Sequence, residues 1–508
     1  MSATTDPLAG ISCEVERIAS YSNLDVATVP VYRPACKEEL KQIFAYARTA
    51  RPLRRVTLRA GGHSFDAQSI NTDLVVSMER LNAIAIDQPR KLITVGPGAT
   101  WGCIVRRLQP LGLAPAVTVT TSHATAGGTL AGNCLSRFSS AWGKEGEFVR
   151  RFEFLALDGR TFGCERPPEG SAPSDWTLPE RIFLGAIGGL GYLGAFLSIT
   201  YRVLAPGQTA GKIGVRTKVR RCQSYEELVN QLGTAATRAS EQDSDEADPE
   251  KDDAIYSALG PGRGSQESLL LTSTFLPNRH GRRMLLFEPY RWFRVSVELL
   301  VRVKAFNRLL WWFSFTTRFG YRRHALYVDG LPDFTFFLDG NVRAKKRVRT
   351  LTRYRLKTIQ QTFVVPGDRK QLLKWLLEAK KLLDDRELSP TLSDVLYLPK
   401  DLPFALSATA DEPGYAVSYA FETSRSGELD RVREAFQDLA EVLNGEPYNG
   451  RVYLVKNVCA SEDTLIAMYG KNAKRFFELK AELDPGAILC NAFLERTFGK
   501  LLVRPAGT

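Results

Sequence analysis

An α+β protein in two parts is what this sequence predicts, on three observations. Short strand-like runs alternate with short helices between residues 34 and 205. Three glycine-rich segments interrupt those runs. Farther along, strand-then-helix units repeat, as in an antiparallel sheet covered on one face. At 508 residues the chain exceeds what one hydrophobic core usually serves, so two or three domains are expected.

The elements follow in order. Pro34 with Glu38, Glu39, Leu40, Ile43, Phe44 and Ala47 places apolar residues three and four apart, which predicts a capped amphipathic helix. An apolar run at 56–58 leads into Arg59-Ala60-Gly61-Gly62-His63-Ser64-Phe65-Asp66-Ala67-Gln68-Ser69, and a second run at 74–77 follows. Adjacent glycines let successive N–H groups converge, and Ser64 and Ser69 add hydroxyl donors. The loop therefore reads either as an anion cradle or as a hairpin turn with an exposed histidine. Residues 92–95 read as a strand, Gly96-Pro97-Gly98 as a turn and 100–108 as a helix.

The second glycine-rich segment, 118–133, carries Thr121, Ser122, His123, Thr125, Gly127, Gly128, Gly132 and Asn133. Its small residues suit a backbone lying close against a flat or extended ligand. By itself His123 reads as a hydrogen-bonding or exposed residue. Residues 152–157 read as a strand, Asp158-Gly159 as its turn and 167–173 as a surface loop. The third segment, Gly189-Leu190-Gly191-Tyr192-Leu193-Gly194, spells G-x-G-x-x-G but runs into strand formers at 195–201, with no acid at the spacing a ribose needs. A nicotinamide fold of the Rossmann type is therefore rejected.

Composition narrows the classes. Eight cysteines are scattered without a C-x-x-C pair, so neither a zinc cluster nor a disulfide framework is expected, and no metal site is assigned. No secretory signal and no run of membrane-span length are read, so a cytoplasmic location is expected. A net charge of +12 and a pI near 9.3 leave anionic partners open. No recognition module for nucleic acid is visible, and no nucleic-acid partner is expected.

Together, R-x-G-G-H-S, T-x-G-G-T-L-A-G-N and I-G-G-L-G-Y-L-G-A over about residues 30–205 resemble the flavin-binding half of the vanillyl-alcohol oxidase class, the PCMH-type FAD oxidoreductases. The resemblance implies an FAD cofactor. The first loop (Arg59, Gly61, Gly62, His63, Ser64, Gln68, Ser69) would hold its pyrophosphate. The second (Thr121, Ser122, His123, Thr125, Gly127, Gly128, Gly132, Asn133) would line the flavin, and Gly189, Gly191 and Asn491 would complete the site. In aldonolactone and alditol oxidases and berberine-bridge-type enzymes the matching histidine is bonded to the flavin, which implies covalent FAD on His63. The cysteine link of berberine-bridge-type enzymes has no counterpart around Thr121.

Residues 1–205 are thus expected to form the FAD-binding domain, 206–445 a substrate or cap domain, and 446–508 a segment returning to the flavin site. An acidic stretch near 238–253 reads as a solvated insertion. The basic, aromatic stretch 279–323 reads first as two amphipathic helices packed on their own domain. A dock on an acidic membrane surface, giving peripheral membrane contact, is the other reading.

Residues 358–366 read as a strand before a helix at 369–383, and 415–421 as a strand before a helix at 428–443. Gly450-Arg451-Val452-Tyr453-Leu454-Val455-Lys456 resembles the decaprenylphosphoryl-ribose 2′-oxidase branch of the same class. That likeness places Lys456 beside the flavin and Gln360 in the substrate pocket, with Tyr453, Tyr415 and Tyr419 as further candidates. Lys456 would act as a base, if burial lowers its pKa, or as a cation holding an oxygen. The branch has a histidine and a lysine where Leu135 and Arg137 stand here, and another lysine near Leu396.

The expected activity is FAD-dependent oxidation of an alcohol carbon of a sugar, polyol or glycosylated metabolite, by hydride transfer to the flavin, with molecular oxygen as acceptor. One alternative is a membrane-surface oxidase of polyprenyl-phosphate sugars. Another, from a different class, is a flavin-free basic binding protein.

Overall fold

The computed structural model describes residues 8–117, 119–205, 213–240, 252–260, 262, 264–277, 282–283, 285–287, 309, 335–337, 357–423 and 425–503. β1 (Cys13–Ala19) and β2 (Val26–Tyr32) pair as an antiparallel hairpin. The chain then crosses through α1 (Lys37–Thr49) to β3 (Val56–Arg59) and returns in β4 (Leu74–Ser77). The four strands lie in the order β1-β2-β4-β3, with β4 parallel to both neighbours. Parallel neighbours need a crossover: α1, which buries the expected stripe of Leu40, Ile43, Phe44 and Ala47, carries the chain from β2 to β3, and residues 60–73 carry it from β3 to β4.

A second, antiparallel sheet contains β5 (Ile84–Asp87), β6 (Leu92–Val95), β7 (Ala114–Pro115), β8 (Val149–Ala156), β9 (Thr161–Glu165) and β10 (Gly194–Leu204). Its order is β5-β6-β10-β8-β9, with β7 paired to β10. The third glycine segment ends where β10 begins, so its glycines precede a strand rather than a helix. α2 (Trp101–Leu108), α3 (Ala126–Ala131), α4 (Ser139–Trp142) and α5 (Leu178–Ala186) join these strands. Trp101, Ile104, Val105 and Leu108 turn α2 inward.

The third sheet is built from β11 (Ile213–Cys222), β12 (Ala254–Leu259), β13 (Ser268–Pro277), β14 (Arg282–Arg283), β17 (Lys357–Pro366), β18 (Leu392–Leu398), β19 (Gly414–Thr423) and β20 (Arg451–Val452). β15 (Leu285–Phe287) and β16 (Thr335–Phe337) pair separately. The order is β14-β11-β13-β12-β18-β19-β17-β20. Helices α6 (Tyr225–Ser240), α7 (Arg369–Asp385) and α8 (Ser426–Asn444) contact this sheet. Phe363 lies 5.4 Å from Trp375 of α7 and 5.8 Å from Phe436 of α8, ring to ring. Because strand side chains alternate, the residues between these core positions face the other way.

After β20 come α9 (Glu462–Leu483) and α10 (Ala492–Phe498). The segment between them returns to the first sheet, where Val56 N donates to Ile488 O at 2.8 Å. All eight cysteines are unpaired.

The acidic stretch differs in part from its expectation. Helix α6 continues to Ser240, and Asp252 and Asp253 are buried rather than solvated; residues 241–251 lie outside the described residues. Apart from 282–283, 285–287 and 309, the basic aromatic stretch 279–323 also lies outside them. Among the described residues no helix is long and apolar enough to cross a membrane, and no cluster of three or more His, Cys, Asp or Glu could hold a metal.

Candidate functional site

One cavity of about 520 Å³ lies where the glycine-rich segments meet the third sheet. The loop after β3 forms its first wall, from Arg59 to Ser69. A methyl group on Gly61 would sit 2.6 Å from the carbonyl oxygen of His123, so the first two glycine segments touch backbone to backbone. Gly62 adopts φ +65°, which favours glycine. The Arg59 guanidinium braces the loop, donating to Ser69 Oγ at 2.9 Å and to Ala19 O at 3.0 Å, and burial lowers its pKa. Ser64 and Ser69 hydroxyls are 2.5 Å apart. His63 is half-buried, 5.8 Å from the Tyr21 ring and nearly parallel to His123 at 6.4 Å.

Thr121, Thr125, Gly127, Gly128 and Gly132, on and beside α3, form the second wall. A methyl on Gly127 would lie 2.5 Å from Pro97 Cβ, and one on Gly132 would lie 3.0 Å from Val455. Thr125 Oγ1 is buried with no hydrogen-bond partner among the described residues. Beneath this wall, Trp101 Nε1 donates to Thr129 Oγ1 at 2.9 Å; Thr129 Oγ1 lies 3.0 Å from Glu145, which accepts from the Tyr201 hydroxyl at 2.7 Å. Burial pushes the Glu145 carboxyl up to about 8, against the lowering effect of those two hydroxyls. The Cys134 thiol, on the same wall, is pushed up to about 12 by burial.

The floor is the face of the third sheet turned away from its helices. Thr358, Gln360 and Thr362 of β17, Asp394 and Leu396 of β18, Ser418, Ala420 and Glu422 of β19, and Tyr256 and Ala258 of β12 line it at alternating positions. Lys456 reaches the cavity from the chain just beyond β20, with Nζ 4.1 Å above the centre of the Phe65 ring. Gln68 Nε2 donates to Leu454 O at 2.9 Å and Lys456 O at 3.0 Å, while its Oε1 accepts from Asp66 N at 2.9 Å. Asn457 donates from Nδ2 to Phe65 O at 3.1 Å and accepts from Gln360 N at 2.9 Å. The Lys456 segment is thus pinned between the first wall and the floor.

Other expected residues stand behind the walls. Asn133 serves the fold, accepting from Gly146 N at 2.9 Å. Ser122 packs on Gly102, and His123 is exposed and does not line the cavity, although its ring lies beside that of His63. Gly189 fills a tight contact, since a methyl there would lie 2.2 Å from Gly185 O. Asn491 caps α10 and donates to Ala67 O at 3.1 Å and Gln68 O at 3.0 Å, tying the C-terminal segment to the first loop. Tyr453 donates to the Asn133 carbonyl at 3.1 Å, and burial raises its pKa well above the usual tyrosine value. Tyr419 falls on the helix-facing parity of β19, 6.3 Å from Phe363. Tyr415 shares that parity, its ring 5.4 Å from Tyr397.

Arg137, Asp394, Glu422, Thr358 and Ser418 line the cavity without having been singled out in the sequence as site residues. The available signal was the parity of the strands: T-x-Q-x-T in β17 and S-x-A-x-E in β19 put mainly polar residues on one face of strands whose other face is mainly apolar, Gln361 being the exception inside β17.

Comparison with known proteins agrees with this geometry. The family described as FAD binding domain matches residues 30–165. This part of the chain is similar to that domain. The chain is 32% identical over 114 residues to the FAD-dependent monooxygenase yanF of Aspergillus niger, covering 21% of this chain and 18% of that one. It is 31% identical over 110 residues to the FAD-dependent monooxygenase macF of Penicillium terrestre, covering 21% of each. The chain thus spans about a fifth of the length of these relatives.

The residues present fit FAD. Two loops are made narrow by glycines where a methyl would collide, and beside them a buried hydroxyl on Thr125 has no hydrogen-bond partner among the described residues. Gly61, Gly62, Ser64 and Ser69 on one side and Thr125, Gly127 and Gly128 on the other are the groups placed to hold it.

Proposed function

We propose that this protein is an FAD-dependent oxidoreductase that oxidises an alcohol carbon of a sugar, polyol or glycosylated metabolite, with the flavin carried covalently on His63 and oxygen as the acceptor. The observation that carries the reading is the single cavity that brings His63, Thr125, Gln360 and Lys456 to facing walls. Bound FAD supplies a two-electron acceptor for the carbon-bound hydride. The chain's own task is to orient the alcohol and manage its proton. In this reading Lys456 serves either as a neutral base that receives that proton or as a cation that holds the reacting oxygen, with Gln360 fixing the orientation from the floor. Leu135 and Leu396 give the cavity apolar side chains where the polyprenyl-sugar branch is expected to carry histidine and a nearby lysine, which favours a different substrate.

The test begins with the visible spectrum of purified protein, followed by acid precipitation. Yellow colour retained in the pellet, and lost in His63→Ala, is the expected result; colour in the supernatant would remove the covalent link. A protein that stays colourless after FAD is added would end the oxidoreductase reading. Lys456→Met should lower kcat by about 10²–10⁴ while leaving flavin absorption intact. Recovery in Lys456→Arg would assign the lysine a charge role rather than proton transfer.

A further inference from the structure

We propose that the substrate carries an apolar group beyond the part that is oxidised, and that this group occupies an apolar end of the cavity formed by Leu135, Tyr256, Leu396 and Val455. The inference rests on the reading that this site oxidises an alcohol of a sugar, polyol or glycosylated metabolite, and it narrows that range to a glycoside with an apolar aglycone. The strand register orders the floor. Gln360 stands opposite Ala420, in the row that reaches the Lys456 segment through Asn457. The next cavity-facing row is Thr362, Ser418 and Asp394, where the two hydroxyls lie 2.9 Å apart and are committed to each other. The row after that is Val364, Ala416 and Leu396, continued by Tyr256, two residues along β12 from Ala258, the partner of Asp394. Apart from the Tyr256 hydroxyl, no side chain of this row is polar. Four residues of β17 separate Gln360 from Val364, roughly 13 Å along the strand, which is more than one sugar ring spans.

The two halves of the apolar row have different surroundings. Val364 and Ala416 are each 1% exposed, closed over in one core with Leu398 and Tyr453. Leu396 and Tyr256 line the cavity instead, and Leu135 and Val455 join them from the loop side. Leu135, Tyr256 and Val455 are only half-buried, so apolar surface is left facing the cavity. Val455 directly precedes Lys456, which sets this end beside the group proposed to act on the alcohol.

Apolar surface of this kind gains when another apolar group displaces its water, and it offers little to a hydroxyl. A free monosaccharide held at Gln360 leaves it wet. Polar groups border it: Asp394 stands in the adjoining row, and the Arg137 carbonyl accepts from Ile255 N at 2.9 Å, next to Tyr256. The apolar end thus lies beyond a polar junction, as an aglycone lies beyond its glycosidic oxygen. A glycoside whose aglycone is an alkyl chain or an aromatic ring matches that order of surfaces.

The experiment follows flavin reduction and turnover in the flavin-loaded protein with glucose, galactose and their n-alkyl β-glycosides from methyl to octyl, all below micelle formation. The expected result is a kcat/KM that rises about fourfold for each methylene buried, up to the chain length that fills the end of the cavity. Leu135→Asn and Leu396→Asn should each cut the octyl-to-methyl ratio by about tenfold or more, through a higher KM for the octyl glycoside, with flavin absorption unchanged. Should either variant fail to fold, Tyr256→Ser and Val455→Thr, at half-buried positions, test the same end by the same ratio. A series flat in chain length, oxidation of the free sugars but of none of the glycosides, or a chain-length gain that every variant leaves intact would overturn the apolar-end inference and leave the oxidoreductase reading standing. Flavin reduction by none of these compounds would take down the sugar reading and this inference together.

Discussion

The two sides of the cavity recognise in different ways. On the glycine-loop side the surface is mostly backbone: Gly61 lies against His123 O, Gly127 against Pro97, and the few polar side chains are short. On the sheet side the backbone is committed to its ladder, and the surface consists of side chains at every second position of β17, β18 and β19. The first arrangement suits a ligand whose shape does not change. The second can be re-specified one residue at a time without disturbing the fold, which is where substrate choice belongs.

Cutting the seam between the two sides gives the largest expected effect on stability. Lys144 Nζ lies 2.6 Å from Asp401 and donates to Ser407 Oγ at 2.6 Å, and Asn133 Nδ2 reaches Asp401 at 3.3 Å. The pair is fully buried, with 1% and 0% of the two side chains exposed. Lys144→Met leaves the Asp401 charge without its cation and should cost about 3–5 kcal/mol in urea unfolding. Lys144→Met with Asp401→Leu should recover most of that loss. If the single variant instead splits one transition into two, the loop side and the sheet side fold separately, and the contrast between them becomes one between folding units.

The next effect acts beneath the loop side alone. Burial raises the Glu145 carboxyl to about 8, from the 4.5 of an ordinary glutamic acid. The raised value means that folding favours the protonated form. Its contribution is therefore complete below about pH 4.5 and is lost as pH rises towards about 8. Glu145→Gln has no proton to lose. Parent and variant should show equal urea midpoints, to a first approximation, near pH 4.5. Above it they should diverge by at most about 1.4 kcal/mol per pH unit, with the variant the more stable. A parent whose stability is flat across that window would show that Glu145 is ionised in the folded protein.

The same contrast explains how much was legible beforehand. Loops that work through backbone must use glycine and small hydroxyl residues at fixed spacing, so R-x-G-G-H-S and T-x-G-G-T-L-A-G-N stood out. Helices α1, α2, α7 and α8 were equally plain, because their apolar spacing reports one buried face. The floor was not. Asp394 and Glu422 look like ordinary polar positions of half-buried strands until the register places them on the cavity side, and Tyr419 looked like a pocket residue until the same parity turned it to the helices. Asn491, Gln68 and Asn133 were picked out beside the site, but the bonds described for their side chains are largely structural ones to backbone, a distinction that needs coordinates.

The smallest effect separates two threonines four residues apart on the loop side. The Thr129 hydroxyl is committed, accepting from Trp101 and lying within hydrogen-bond distance of Glu145, whereas Thr125 Oγ1 is buried without a partner among the described residues. Removing a committed hydroxyl strands its partners, so Thr129→Val should lower the stability of flavin-free protein by about 1–3 kcal/mol. Removing the orphan strands nothing, and Thr125→Val should leave the flavin-free protein as stable as before or slightly more so. If the Thr125 hydroxyl is instead satisfied by the bound cofactor, its loss appears only in binding, at about 0.5–1.5 kcal/mol, or roughly two- to tenfold in the Kd for FAD. For this comparison binding is measured by titration in the His63→Ala background, so that covalent attachment does not mask affinity. Equal FAD affinity in Thr125→Val would mean that the cofactor does not use this hydroxyl, and the glycine-shaped backbone alone would then account for the recognition on this wall.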